Sequence, residues 1–276
     1  MGFSVNTNAS ALSALQNLNI TTKSLDGVQT RINTGLRISS AKDNAAVYSI
    51  AQQLRADLRG YSAVKQSLDR SISTVDIALA AAESISDLLI EMKEKSVAAA
   101  DEGLDTTSRT ALAQDFDSLR AQVTIITQNA SFNGTNLIDA GTDQIVAITS
   151  PDALQKITIV HENLTLGGGN ITITATQSVS TLTTAASAVT DVSTSLANVN
   201  AVLTRLGAGG KSLEAQRVFA TKISDTIEVG IGNLVDADLA RESARLQALQ
   251  VKQQLGVQAL SIANSAPQSI LNLFGG

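Results

Sequence analysis

The chain has 276 residues, a net charge of −5, one histidine and no cysteine, and only 16% of its residues are charged, against roughly 25% in an ordinary soluble domain. Without cysteine there is no disulfide framework, thiolate metal site or cysteine nucleophile, and one histidine excludes any centre that needs two imidazoles. The negative balance argues against nucleic acid as principal partner. Hydrophobic residues make up 43% of the chain but aromatics only 3%, so the expected core is narrow and built helix against helix.

From Met1 to Thr22 there is no ionisable side chain, yet Leu12, Leu15, Leu18, Thr22, Leu25, Val28 and Ile32 step by three or four residues. That spacing predicts one apolar stripe of a helix. Polar residues interrupt the apolar runs well short of 18 residues, so no membrane span is expected. A basic segment leading into a continuous apolar run is missing as well, and with it the pattern of a secretory signal peptide.

A second stripe runs through Leu68, Ile72, Val75, Leu79, Ala82, Leu89 and Met92. Asp101–Thr107 reads as a turn, with Thr106 or Thr107 as the expected N-cap of the next helix. There Leu112, Phe116, Leu119, Val123 and Ile126 step 4-3-4-3, a heptad seam that demands a helical partner. Residues 141–190 hold eleven Thr and four Ser but only four charged residues. The alternation in Lys156–Val160 and Asn170–Thr174, around Gly167–Gly169, predicts a β-hairpin or small sheet. Heptad spacing returns at Val192, Leu196, Val199, Leu203 and Leu206. Gly207–Gly210 then marks a weak point or bend, because glycine costs a helix roughly 1 kcal/mol against alanine.

The C-terminal segment carries two stripes side by side. One is Leu246, Leu249, Gln253, Gly256, Leu260 and Ala263; the other is Val251, Leu255, Gln258 and Ile262. From Gln253 onward it too lacks ionisable side chains. A helix apolar on more than one side and free of charge is expected to be buried. For such chain ends two readings stand: frayed amphipathic tails, or helices that bury against the opposite end and against neighbouring subunits.

No catalytic constellation emerges. Gly207–Ser212 ends in Gly-Lys-Ser, but the first glycine of a phosphate loop would fall at Arg205 and a helix precedes it where a strand is required. His161-Glu162 has no second histidine to complete a zinc site. Asp236 and Asp238 read as residues flanking a helix start, where negative charge complements the dipole. Lys93-Glu94-Lys95 reads as a solvated helix face.

The segment Arg31-Ile32-Asn33-Thr34-Gly35-Leu36-Arg37-Ile38-Ser39-Ser40-Ala41-Lys42-Asp43-Asn44-Ala45-Ala46 closely resembles the N-terminal signature of bacterial flagellin. The C-terminus is similar as well, at Asp236-Ala237-Asp238, Glu242, Gln253-Gln254, Gly256, Ala263-Asn264, Pro267-Gln268, Leu271 and Leu273. Phe132-Asn133-Gly134 resembles the family's turn into its β region. Asn44 and Val47 depart from the pattern, which favours Asp and Gly there.

The resemblance implies a mainly α fold, an elongated antiparallel helical bundle or coiled coil with paired terminal helices and a small β-hairpin insert. It further implies one near-continuous helix from about 185 to 234, running through Gly207–Gly210. It divides the chain into an inner-tube domain (1–41 with 236–276), a bundle domain (42–130 with 185–235) and an outer segment (131–184). The implied role is the self-assembling subunit of the extracellular flagellar filament, exported unfolded and requiring no cofactor. Implied partners are further copies, sister flagellins, the export apparatus, a flagellin chaperone, and the filament cap and junction proteins, with neither nucleic acid nor membrane among them. Subunit contacts are expected at Leu12, Leu15, Leu18, Leu25, Leu246, Leu249, Leu255, Leu260 and Ile262, with the ends ordering only on assembly. Asn19, Gln253, Gln254 and Asn264 are expected to hydrogen-bond within or between the terminal helices. By the same likeness Glu91 and Lys95 stand where an arginine and a leucine serve recognition by a Toll-like receptor, which implies weak activation or none. The alternatives are a hook–filament junction protein and, from another class, a membrane-active amphipathic helical protein.

Overall fold

The computed structural model describes residues 7–274, with side chains as far as Ser265; Pro267, Gln268, Leu271 and Leu273 of the C-terminal signature lie beyond the described side chains. Its order is α1 (Ala9–Thr34), α2 (Ala45–Ala99), α3 (Thr106–Asn129), β1 (Ser131–Phe132), β2 (Thr135–Asn136), β3 (Ile145–Ile148), β4 (Lys156–Ile159), α4 (Leu182–Val235) and α5 (Leu239–Phe274). The fold is mainly α with a small β insert. It divides into two compact units, one of Met1–Ala56 with Thr226–Gly276 and the other of Asp57–Asp225.

In the second unit the heptad positions are the core. Leu68, Val75, Ala82, Leu89 and Met92 of α2 join Phe116, Leu119 and Val123 of α3 and Val192, Val199 and Leu206 of α4 in one buried cluster. Helix direction follows from the polar contacts. Lys95 Nζ lies 3.2 Å from Asp115 Oδ2 and Arg109 Nε donates to the Ala99 carbonyl at 2.9 Å, so α3 runs back along α2. Asp69 pairs with Arg217, and a Cβ on Gly210 would lie 3.5 Å from Val75 Cγ1, so α4 is antiparallel to α2 too.

The N-cap of α3 is Asp105, whose side chain accepts from Ser108 N at 3.1 Å; Thr106 and Thr107 already belong to the first turn. Asp105 takes the role because its extended backbone turns the carboxylate back onto the first amides. Arg109 ties off the preceding turn by donating to both Ala99 O and Asp101 O.

The insert corrects one expectation. Lys156–Ile159 does pair in a hairpin, but with Ile145–Ile148 and not with Asn170–Thr174. Ile171 and Ile173 are buried as the alternation requires. Their backbone, however, is satisfied elsewhere: Thr172 N donates to Ser195 Oγ on α4 at 2.9 Å, and Asn198 Nδ2 donates to Asn170 O at 3.1 Å. Alternation reports one buried face, not the identity of the partner strand. A tighter hairpin joins β1 to β2 through Asn133 (φ 49°) and Gly134 (φ 82°), a two-residue turn with both residues left-handed.

Helix α4 is continuous through Gly207–Gly210, as the family resemblance implies, and the glycines serve packing. A Cβ on Gly209 would stand 2.7 Å from Ile159 Cδ1, so the missing side chain lets β4 rest on the helix. Gly60 of α2 does the same for the β3–β4 loop, where Pro151 Cβ would be 2.5 Å from an added methyl. Glu162, just after β4, is buried and receives Arg205 Nε and Nη2 at 2.5 and 2.6 Å, a two-pronged tie to α4.

Candidate functional site

In the first unit α1 and α5 form an antiparallel pair. Asn8 Nδ2 donates to Ala263 O at 2.7 Å, Gln253 Nε2 to Thr22 Oγ1 at 3.4 Å, and Arg31 Nη1 reaches Glu242 Oε1 at 3.4 Å. A Cβ on Gly256 would lie 3.2 Å from Leu18 Cδ1, so this glycine marks a close approach of the two helices.

The two stripes of α5 part company in this arrangement. Leu246, Leu249, Gln253, Gly256, Leu260 and Ala263 are all half-buried, whereas Val251, Leu255, Gln258 and Ile262 are all exposed. On α1, Leu25 and Val28 are buried and Leu18 half-buried, while Leu12 and Leu15 are 60% and 43% exposed. The expected interface residues thus fall into two sets. Leu18, Leu25, Leu246, Leu249 and Leu260 lie on the more buried faces of the pair; Leu12, Leu15, Leu255 and Ile262 open to solvent, with Ile20 and Val257 joining them. Leu12, Leu15, Gln16, Asn19, Ile20 and Lys23 line a shallow groove along α1. Of the four polar residues expected to bond in the helices, Gln253 reaches Thr22; Asn19, Gln254 and Asn264 are exposed.

The signature residues build the junction where α1 ends and α5 begins. Gly35 takes φ 69° and closes α1 in the left-handed conformation. Past it, Arg37 N and Ile38 N both donate to Val235 O, at 2.7 and 3.2 Å, and Ala237 N donates to Gly35 O at 2.9 Å. Arg37 Nη2 adds a bond to Leu234 O at 2.8 Å. Asp43 Oδ2 accepts from the backbone and hydroxyl groups of both Ser39 and Ser40, at 3.0 to 3.2 Å. Those bonds, the Ser40 amide foremost, hold the Asp43 carboxyl below its ordinary range. Asn44 caps α2 by accepting from Val47 N at 3.1 Å, so a residue that departs from the family pattern keeps the capping role. Asp238 Oδ1 accepts from Arg241 N at 3.1 Å at the start of α5, and Asp236 bridges to Leu36. Lys42 is exposed.

Glu242 is 8% exposed, with one oxygen facing Arg31 and the other buried with no hydrogen-bond partner among the described residues. The sequence reading named Glu242 only as a family position; its pairing spans 211 residues, and no local pattern reveals it.

On α2, Glu91 is exposed, while Lys95 is anchored to Asp115 and so is more than a solvated side chain. His161 Nε2 lies 3.4 Å from Asp139 Oδ1 near the end of β4, a polar contact beside a strand.

The chain matches two family models, described as the bacterial flagellin N-terminal helical region over residues 5–142 and the C-terminal helical region over 175–274. Among curated relatives it is 48% identical to Flagellin FljO of Caulobacter vibrioides over 271 residues, 98% of each chain. It is 47% identical to Flagellin FljJ of the same organism over 281 residues, all of both chains, and 40% identical to a flagellin of Brucella melitensis over 282 residues, 99% of each. Among solved structures it is similar to a chain described as a flagellar hook-associated protein of Vibrio parahaemolyticus. The TM-score is 0.57 at 12% identity, over 70% of this chain and all of that one, a likeness of fold alone.

Proposed function

The chain belongs to the bacterial flagellin family and is a flagellar filament subunit; from that premise we propose how its geometry builds the filament. One observation carries the reading: α5 has two apolar stripes, and only one of them turns toward the remainder of its own unit. The exposed stripe of Val251, Leu255 and Ile262, with Leu12, Leu15 and Ile20 of α1, is the surface that neighbouring copies cover. No ionisable side chain lies in Gln253–Gly276, so copies cover these side chains without stranding a charge.

In this reading the terminal helices line the inner tube (1–41 with 236–276), the bundle (42–130 with 185–235) forms the layer around it, and 131–184 faces outward. Only Leu25 and Val28 of α1 are buried within the chain. That is little to hold a 26-residue helix, because in proteins most helical stability comes from packing of an apolar face. The ends therefore complete their order as neighbours dock, coupling folding to assembly. The chain leaves the cell unfolded through the flagellar export apparatus, escorted by a flagellin chaperone, and adds beneath the filament cap onto junction proteins, alone or with sister flagellins. Full-length identity of 47–48% to curated flagellins favours a filament subunit over a junction protein.

Leu260→Asp is the direct experiment. It puts a charge on the half-buried stripe, so the Asp57–Asp225 unit keeps its helical signal while electron microscopy finds no filaments. Normal filaments from that variant refute the reading. Glu91 exposed and Lys95 held by Asp115 also support weak Toll-like receptor activation, because reversing charge at an arginine's position is not conservative. Full potency in a reporter-cell assay refutes that part.

A further inference from the structure

Asn133-Gly134 is the single Asn-Gly pair in the chain; every other asparagine is followed by a residue that carries a side chain. The pair forms the turn between β1 and β2, with φ 49° and 82°. Both residues are exposed, and the Asn133 carboxamide takes no hydrogen bond among the described residues. Pairing of Phe132 with Thr135 closes the hairpin without using the Gly134 amide. A Cβ on Gly134 would meet nothing within 4 Å, so water and hydroxide reach that N–H. Asn136 is the opposite case. It is buried, with Nδ2 donating to Thr127 O at 2.8 Å and Oδ1 accepting from Ile138 N at 2.9 Å.

Two left-handed central residues make this a type I′ turn, in which ψ of the first is about 30°. Rotating the one peptide plane between them gives type II′, the other common two-residue hairpin turn, with that ψ near about −120°. There the Gly134 nitrogen eclipses Asn133 Cβ, the near-planar arrangement that closes a five-membered ring onto Cγ. The rotation takes φ at position 134 from positive to negative, which glycine adopts as readily, and the strands stay paired.

We propose that Asn133 is a self-modifying site, which deamidates through a cyclic imide formed with its own turn backbone while the Asp57–Asp225 unit stays folded. Hydroxide removes the Gly134 amide proton, the nitrogen attacks Cγ, and the carboxamide nitrogen takes a proton from water and leaves as ammonia. Water then opens the ring. Cleavage of the new N–Cγ bond gives aspartate; cleavage of the original peptide bond gives isoaspartate, whose backbone is one atom longer. One water enters, one ammonia departs, and nothing is oxidised or reduced. Either product adds a negative charge to the cavity that Asn133 shares with Arg70, which carries no ion pair among the described residues. Aspartate preserves the turn. Isoaspartate lengthens it, so Phe132 and Thr135 lose their match and the disturbance reaches buried Asn136, Leu137 and Ile138. The turn therefore records the age of each subunit.

The test incubates the full chain at neutral to mildly alkaline pH and follows it for weeks by peptide mass mapping, with isoaspartate read by enzymatic methylation of its carboxyl group. Asn133 should be modified at least tenfold faster than any other asparagine, with isoaspartate in excess and a rate that climbs with pH. Urea below the unfolding transition should leave the rate unchanged, because a turn rotation exposes little surface. The isoaspartate fraction, separated by ion exchange, should melt below the parent, and Asn133→Asp should melt with it. An unmodified Asn133 overturns the site. Aspartate without isoaspartate overturns the ring, and a rate that rises with urea overturns the folded route. An isoaspartate fraction as stable as the parent, or a loss equally large in Asn133→Asp, overturns the lengthened turn.

Discussion

Leu255→Ala separates the two stripes of α5 quantitatively. Leu255 is 58% exposed in the single chain, so truncation should barely alter the stability of the monomer. In the proposed polymer contact the remaining surface is covered. Three carbons are lost, each worth about 0.8 kcal/mol when fully buried. Scaling by the 58% still to be covered gives about 1.4 kcal/mol per subunit, or roughly a tenfold rise in critical concentration. Ile262, 69% exposed, should behave alike when changed to alanine, and the two together should approach a hundredfold. Leu25→Ala is the contrast. Leu25 is 7% exposed, so its loss should cost about 2–5 kcal/mol in the unit itself, visible as altered helicity before any polymer forms. Sedimentation of a dilution series at fixed temperature measures the critical concentration. An unchanged value for Leu255→Ala, or a monomer as damaged as that of Leu25→Ala, would refute the division into an inner and an outer stripe.

Gly207→Ala should stabilise the Asp57–Asp225 unit by about 0.5–1 kcal/mol, because nothing lies within 4 Å of the added methyl. Gly60→Ala should destabilise it by about 1–3 kcal/mol, because Pro151 Cβ and Cα would lie 2.5 and 3.1 Å away; urea denaturation of both variants reads the opposite signs. The Asp43 carboxyl is held below its ordinary unfolded-chain value in the folded chain by the Ser40 and Ser39 amides and hydroxyls. Its contribution is therefore present above that value and disappears as pH falls through the folded pKa. Protection of the Ser39 and Ser40 amides, measured against the intrinsic exchange rate at each pH, should fall in that acid range, and Asp43→Asn should abolish this pH dependence.

The helices were legible because their signal is repetitive. The 4-3-4-3 seams of Leu112–Ile126 and Val192–Leu206 mark buried or half-buried residues of the core, and the two α5 stripes were separable by spacing before any partner was known. Contacts set by geometry across long separations were not legible. Gly209 read as a weak point because helix propensity is a local quantity, whereas its use depends on Ile159, fifty residues away. Ile145–Ile148 was missed because four residues give a weak alternation signal. Asn170–Thr174 was misread because side chains of α4 replace a partner strand. At the junction the flagellin-like signature identified Arg31, Gly35, Arg37 and Asp43. Why Arg31, Gly35 and Arg37 matter follows only from partners some two hundred residues away, Glu242, the Ala237 amide and the carbonyls of Leu234 and Val235.

The bond between Asn8 and Ala263 spans 255 residues, and that separation has a consequence for timing. Loop-closure entropy delays contacts between distant residues, and neither α1 nor α5 has its partner until the other end of the chain has arrived. Whichever end emerges first must wait, while Asp57–Asp225 can complete its core from segments already delivered. On the proposed reading, the surface of α1 and α5 that neighbouring copies cover is thus the last part of the chain to form. A subunit cannot become adhesive through its paired ends before synthesis or transit is finished.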